Sequence, residues 1–109
     1  MDIQNIVNQA VAIAQQESAR YFTEQLQGQD QFACGFAWVD VYVDRTNSKI
    51  AKELLSIGFR KDYVPKRLCF WKPGAYNGQS MTVLEVGARA YADVLQKYGF
   101  RAYAGSRAD

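Results

Sequence analysis

Residues 32–43 alternate between small and large side chains, and this pattern constrains the fold more than any other feature of the sequence. In a β-strand, successive side chains point to opposite faces of the sheet. One face would carry the small or β-branched residues Ala33, Gly35, Ala37, Val39, Val41 and Val43. The other would carry Phe32, Cys34, Phe36, Trp38, Asp40 and Tyr42. Because both sets are apolar enough to need cover, the stretch is typical of a central strand.

The length and composition are typical of one globular domain. The chain has 109 residues, of which 49% are hydrophobic and 22% are charged, as in ordinary globular proteins. No apolar run approaches the ~20 residues of a membrane span, and the first residues lack the pattern of a signal peptide. We therefore expect a soluble protein in the cytoplasm.

Three segments have apolar residues at three- and four-residue steps, which predicts three helices. The first covers residues 2–27. The second follows a capping signal at Thr46 or Asn47, includes Ile50 in its buried stripe and ends at Gly58. The third helix begins at a Thr-x-x-Glu capping box formed by residues 82 and 85, and a glycine at position 99 ends it.

The remaining segments predict strands over residues 59–64, 67–72 and 100–104, with Pro65-Lys66 as a hairpin turn. From residue 32 onward the order is strand, helix, strand, strand, helix, strand. This order predicts a ferredoxin-like split βαβ sandwich (βαββαβ), in which the first and third strands are central and both helices cover one face. We therefore expect an α+β protein with an N-terminal amphipathic helix over residues 1–28 and a ferredoxin-like domain over residues 29–109.

The aromatic face of the two central strands is the main indication of function. RRM domains stack nucleotide bases on aromatic side chains of the corresponding strands. The candidate binding residues are Phe36, Trp38, Tyr42 and Trp71, with Lys66, Arg67 and Lys72 as flanking bases. The RNP1 motif of RRM domains is absent from residues 66–73, and Asp40 is unfavourable beside phosphate. In the alternative interpretation, the helix over residues 2–27 or a second copy of the chain covers this face.

Three segments resemble small uncharacterised proteins encoded by bacteriophages and prophages: Cys34-Gly35-Phe36-Ala37-Trp38-Val39, Gly78-Gln79-Ser80-Met81 and Ala102-Tyr103-Ala104-Gly105-Ser106-Arg107-x-Asp109. The resemblance implies a phage context, in the cytoplasm of the host cell, and no particular mechanism. It also directs attention to the last two segments.

Those two segments form a second candidate binding site. Gln79 and Ser80 precede a helix, whose free N–H groups and dipole attract anions. We expect the chain to turn at Gly105, so that Ser106 and Arg107 return toward this helix start. In the alternative interpretation, they form a cap and an ordered terminus in which Arg107 pairs with an acid.

The charges are unevenly distributed along the chain. Residues 1–44 contain one base and six acids, whereas residues 45–109 contain twelve bases and five acids. This asymmetry is typical of a basic surface for an anionic partner, or of an acidic segment that folds back on a basic one. Simple scatter over a solvated surface is the third interpretation.

The residue types argue against catalysis. The chain has no histidine, which is the usual base near neutral pH and the commonest metal ligand. Its two cysteines, Cys34 and Cys69, have neither a metal-site nor a disulfide spacing, so buried free thiols are expected. We expect no enzyme activity, cofactor or metal.

Two functions fit these observations. The first is a small non-catalytic phage accessory protein that binds protein, either as a homodimer or as an inhibitor of a host or phage protein. The second is a module that binds single-stranded nucleic acid through a basic hairpin and the aromatic sheet face. The exposure of Phe36 and Trp38 distinguishes them.

Overall fold

The computed structural model describes residues 2–24, 35–71 and 81–108. These residues form α1 (Ile3–Glu24), β1 (Gly35–Tyr42), α2 (Lys49–Ser56), β2 (Arg60–Lys61), β3 (Arg67–Trp71), α3 (Met81–Lys97) and β4 (Arg101–Ala108). The four strands form an antiparallel sheet in the order β2-β3-β1-β4. The predicted α+β class is confirmed. In the described part of the chain, none of the helices has the length and apolar character needed to cross a membrane.

Strand β1 divides its side chains between two faces, as its sequence predicts. Buried and half-buried positions alternate along its eight residues. Ala37, Val39 and Val41 are fully buried and belong to the hydrophobic core that the sheet shares with the helices. The residues between them point away from this core, so the aromatic set lies on the other face.

Helix α1 packs on α3, and α3 in turn packs on β1 and β4. Ala10 and Ala14 of α1 and Ala88 of α3 are fully buried and belong to the hydrophobic core. At one end of this contact, the Tyr98 hydroxyl donates to Gln9 Oε1 at 2.9 Å. The described part of α1 therefore lies on the helical side of the sheet, and the interpretation in which it crosses the aromatic face is wrong.

The start of α2 differs from the prediction. Ser48 is the N-cap, and its Oγ accepts a hydrogen bond from the Ala51 backbone N–H at 3.2 Å. Neither Thr46 nor Asn47 has this role, although all three residues have suitable side chains. Ile50 is 44% exposed, because its neighbour Ala51 points into the core and adjacent helical residues diverge by about 100°.

The predicted capping box of α3 is also wrong. Met81 is already helical, so Thr82 lies within the helix and is not the N-cap partner of Glu85. Met81 packs on Gly35, where an added Cβ would lie 2.8 Å from the Met81 sulfur. Gly99, with φ of 93°, follows α3 as predicted.

Both edge strands have different lengths from those predicted. Strand β2 covers only Arg60–Lys61, against a predicted strand over residues 59–64. Strand β4 extends to Ala108, whereas the predicted strand ended at residue 104. The chain therefore does not turn at Gly105, and residues 105–108 continue the pairing with β1.

Tyr91 of α3 is fully buried. Its ring packs beside the stacked pair of Phe59 and Phe70, with centroid separations of 6.2 and 5.5 Å from these two rings. Among the described residues, the Tyr91 hydroxyl has no hydrogen-bond partner. Burial also raises the pKa of this hydroxyl well above its ordinary value.

We expect Tyr91→Phe to leave the free energy of unfolding at pH 7 unchanged, or to raise it by up to about 1–3 kcal/mol, because the substitution removes an unpaired buried hydroxyl. Above pH ~10 the parent should lose stability relative to this variant, since its phenol ionises more readily in the unfolded chain. Urea unfolding at both pH values measures these effects. Tyr91→Ala is the control and should cost ~3–5 kcal/mol. A Tyr91→Phe variant much less stable than the parent at pH 7 would contradict this account.

Candidate ligand-binding face of the sheet

The sheet face opposite the helices carries large aromatic and charged side chains, and we call it the open face. Residues directly opposite each other in an antiparallel pair point to the same side, so the strand register defines its members. Among the described residues they are Phe36, Trp38, Asp40, Tyr42, Arg60, Arg67, Cys69, Trp71, Arg101, Tyr103, Gly105 and Arg107. The described helices pack on the other face.

Three aromatic rings form a connected group at one end of the open face. The Trp38 and Trp71 rings are 4.8 Å apart, and Phe36 meets Trp71 edge to face at 6.0 Å, separations typical of attractive aromatic pairs. Trp71 is 48% exposed, whereas Phe36 and Trp38 are half-buried. The outer surface of this group is therefore available to a planar ligand.

Gly105 makes room for the Trp38 indole. A Cβ atom at position 105 would lie 2.5 Å from Trp38 Nε1 and 2.6 Å from its Cε2, a distance at which real atoms collide. Glycine within a strand often marks such a close approach. The indole is also held by its Nε1, which donates to Asp40 Oδ2 at 3.2 Å. The orientation of Trp38 thus depends on both neighbours.

Arg67 and two carboxylates form the polar centre of the open face. Its Nε donates to Asp62 and lies 3.8 Å from Asp40 Oδ1, and its Nη1 donates to the Tyr42 hydroxyl at 3.5 Å. The hydrogen bonds to Tyr42 and Asp62 raise the pKa of Arg67 above its ordinary value. Arg67 is therefore a fixed part of the surface, and its charge is balanced by the neighbouring acids.

Cys69 lies opposite Asp40 and is a buried free thiol, as predicted. Burial raises its pKa to about 12, and the Asp40 charge adds to this effect. The thiol therefore stays protonated near neutral pH, which makes it a poor nucleophile and metal ligand. Cys34 lies outside the described residues. The described residues also include no group of three or more His, Cys, Asp or Glu side chains that would hold a metal ion.

Three further arginines on the open face have more accessible charges. The Arg107 guanidinium lies over the Phe36 ring, 5.9 Å from its centroid. Arg101 pairs with Asp44 at 3.3 Å, but both side chains are largely exposed, so the pair contributes little stability. Arg60 is exposed. Neither Arg60 nor Arg107 forms an ion pair with any described carboxylate.

The predicted site residues fall into three groups. Those found on the open face are Phe36, Trp38, Tyr42, Arg67, Trp71 and Arg107. Lys66 lies in the hairpin turn with φ of 64°, and Ser106 lies opposite Ala37 on the helical side. Those outside the described residues are Lys72, Gln79 and Ser80. The predicted turn at Gly105 is wrong, because Ser106 and Arg107 belong to β4. This strand nevertheless runs back toward Met81 of α3, since a Cβ at Gly35 would lie 2.7 Å from the Arg107 carbonyl oxygen and 2.8 Å from the Met81 side chain.

Sequence reasoning assigned no binding role to Tyr103. It considered Arg60 as a base of the hairpin and Arg101 as a possible anion-binding residue, but it did not place either of them on the open face. The sequence does contain a signal for Arg101 and Tyr103. These two residues and Arg107 are separated by even numbers of positions, and small residues lie between them. This two-residue period was overlooked because the predicted strand ended before Gly105. The contact between Gly105 and the Trp38 indole is not visible in the sequence.

The comparisons with known proteins give no family: no family model matches the chain, and no curated protein or solved structure is detectably similar to it.

We expect Gly105→Ala to destabilise the protein by ~1–3 kcal/mol, as other overpacked substitutions do, because the new Cβ displaces the Trp38 indole. Tryptophan fluorescence should change with it. Ser106→Ala is the matched control, since it alters the next residue of the strand on the other face and should leave both readings unchanged. Equal stability and identical spectra for the two variants would show that Gly105 does not position Trp38.

Proposed function

We propose that this protein is a small non-catalytic module that binds single-stranded nucleic acid on the open face. The observation that carries the proposal is the half-exposed Trp71 ring in contact with Trp38, on adjacent strands and on the same face as Arg60 and Arg107. Aromatic platforms of this kind stack bases without regard to sequence, and neighbouring cations hold the phosphates.

A finer assignment of the fold supports this function. We infer that residues 35–108 have a ferredoxin-like arrangement, because the element order from β1 to β4 is βαββαβ and β1 and β3 lie adjacent within the sheet order β2-β3-β1-β4. In domains with this plan, the central strands present the base-stacking side chains. Trp38 and Trp71 lie on those two strands.

The charge distribution also favours an anionic ligand. Asp40 is the unfavourable residue of the open face, but Arg67 lies 3.8 Å from it and offsets its charge. The edge strands contribute Arg60, Arg101 and Arg107, which lie on both sides of the aromatic group. An extended nucleic-acid strand that crosses the sheet would find aromatic rings for its bases at the centre and arginines for its phosphates at the edges.

We also propose that the protein has no catalytic activity and that it acts in the cytoplasm of a phage-infected cell. The absence of histidine from the sequence and the protonated state of the Cys69 thiol support the non-catalytic role. The three segments that resemble phage-encoded proteins support the phage context. A protein-binding function remains the second proposal. The outer edge of β4, which pairs with no other strand among the described residues, supports it, as described in the next subsection.

We expect Trp71→Ala to weaken binding to a fluorescein-labelled 12-nucleotide single strand by ~1–3 kcal/mol, the usual contribution of one stacked base. Fluorescence anisotropy at low salt measures this, with single-stranded DNA and RNA tested separately. Ile50→Ala is the control, because Ile50 is 44% exposed and belongs to α2. If the folded parent binds neither DNA nor RNA at low salt, the proposed function is wrong.

We expect Arg107→Glu and Arg60→Glu each to weaken binding and to reduce its salt dependence. The slope of log K against log salt should fall by ~0.7 for each lost phosphate contact. Arg89→Glu makes the same charge change on an exposed residue of α3 and should have a much smaller effect. Equal losses in all three variants would indicate attraction by net charge alone and would contradict a site on the open face.

A further inference from the structure

We propose that two copies of this chain pair through β4 in antiparallel orientation, so that their sheets form one continuous eight-stranded sheet. The inference goes beyond the proposed function, because it assigns a partner and an interface. It starts from the position of β4 at the edge of the described sheet. Every second residue of an edge strand directs its backbone N–H and C=O away from the sheet, where another strand can pair with them.

Apart from arginines near its two ends, strand β4 lacks the features that normally protect an edge. It has eight residues, Arg101–Ala108, and pairs with β1 in continuous register without a bulge. It contains no proline, and its central residues 104–106 are small and uncharged. Short edges, bulges, prolines and charged side chains are the usual means by which proteins prevent strand addition. The opposite edge, β2, has only two residues.

The charges of β4 select one register for self-pairing. A two-fold axis at Ala104 would place Arg101 directly opposite Arg107 of the partner subunit, and like charges in this position are unfavourable. An axis at Tyr103 avoids this but pairs only about half of the strand. An axis at Gly105 pairs nearly all of it and places each Tyr103 opposite the other copy's arginine at position 107. Both residues lie on the open face, where an arginine–tyrosine contact is favourable.

The Gly105 axis also gives the Trp38 side chains complementary positions. Each indole lies over the Gly105 of its own chain, and the axis would bring these two glycines together. The two β1 strands would then be three strand spacings apart, or ~14 Å, a gap that two indoles extending toward each other fill. The aromatic groups of both copies would join into one row across the dimer.

Mixed disulfide cross-linking tests both the interface and its register. We expect Tyr103→Cys and Arg107→Cys to form covalent dimers when the two variants are mixed and mildly oxidised, because opposite residues have Cβ atoms ~4.5–5.5 Å apart. Neither variant alone should cross-link above the parent. Ala104→Cys mixed with Ser106→Cys is a second pair on the other face. Light scattering of the unmodified parent should give twice the 12.3 kDa mass of one chain.

Each other outcome overturns the proposal. A parent that is monomeric at every concentration tested has no such interface. A dimer in which Tyr103→Cys links to itself, or in which neither mixture cross-links, uses another register or another surface. These experiments require no nucleic acid. A negative result would therefore not contradict the proposed nucleic-acid binding, and a failure of oligonucleotide binding would not contradict this interface.

Discussion

The packing of α3 on the small side chains of β1 is the interaction on which the rest of the structure depends. Ala37, Val39 and Val41 are fully buried against the helical layer, and α1 adds to that layer by packing on α3. Because strand side chains alternate, burial of this set forces Phe36, Trp38, Asp40 and Tyr42 to the other face. The open face is therefore a direct consequence of how the core is built.

Two local arrangements then give the open face its properties. Gly105 and Asp40 hold the Trp38 indole against β4, and Arg67 offsets the charge of the half-buried Asp40. The acidic first part of the chain thus folds onto the basic second part at two points, where Asp40 meets Arg67 and Asp44 meets Arg101. What remains accessible on this face is aromatic surface with arginines beside it.

The sequence predicted well those features that depend on periodicity. The alternation in β1 correctly indicated which residues are buried, and Gly99 correctly marked the end of α3. Features that depend on contacts between distant residues were not predictable. The close approach of the Trp38 indole to Gly105 and that of Met81 to Gly35 are two such features. The side on which α1 packs was ambiguous because either face of the sheet could accept an apolar stripe.

The central claim is that the open face binds single-stranded nucleic acid. Its most direct test is a titration of the ¹⁵N-labelled protein with a short single-stranded oligonucleotide, followed by two-dimensional NMR. The chain has only two tryptophans, and both lie on the open face. We predict that both indole N–H signals and the amides of β1, β3 and β4 shift, while those of α1 do not. Unchanged indole signals, or shifts confined to the helices, would contradict the claim.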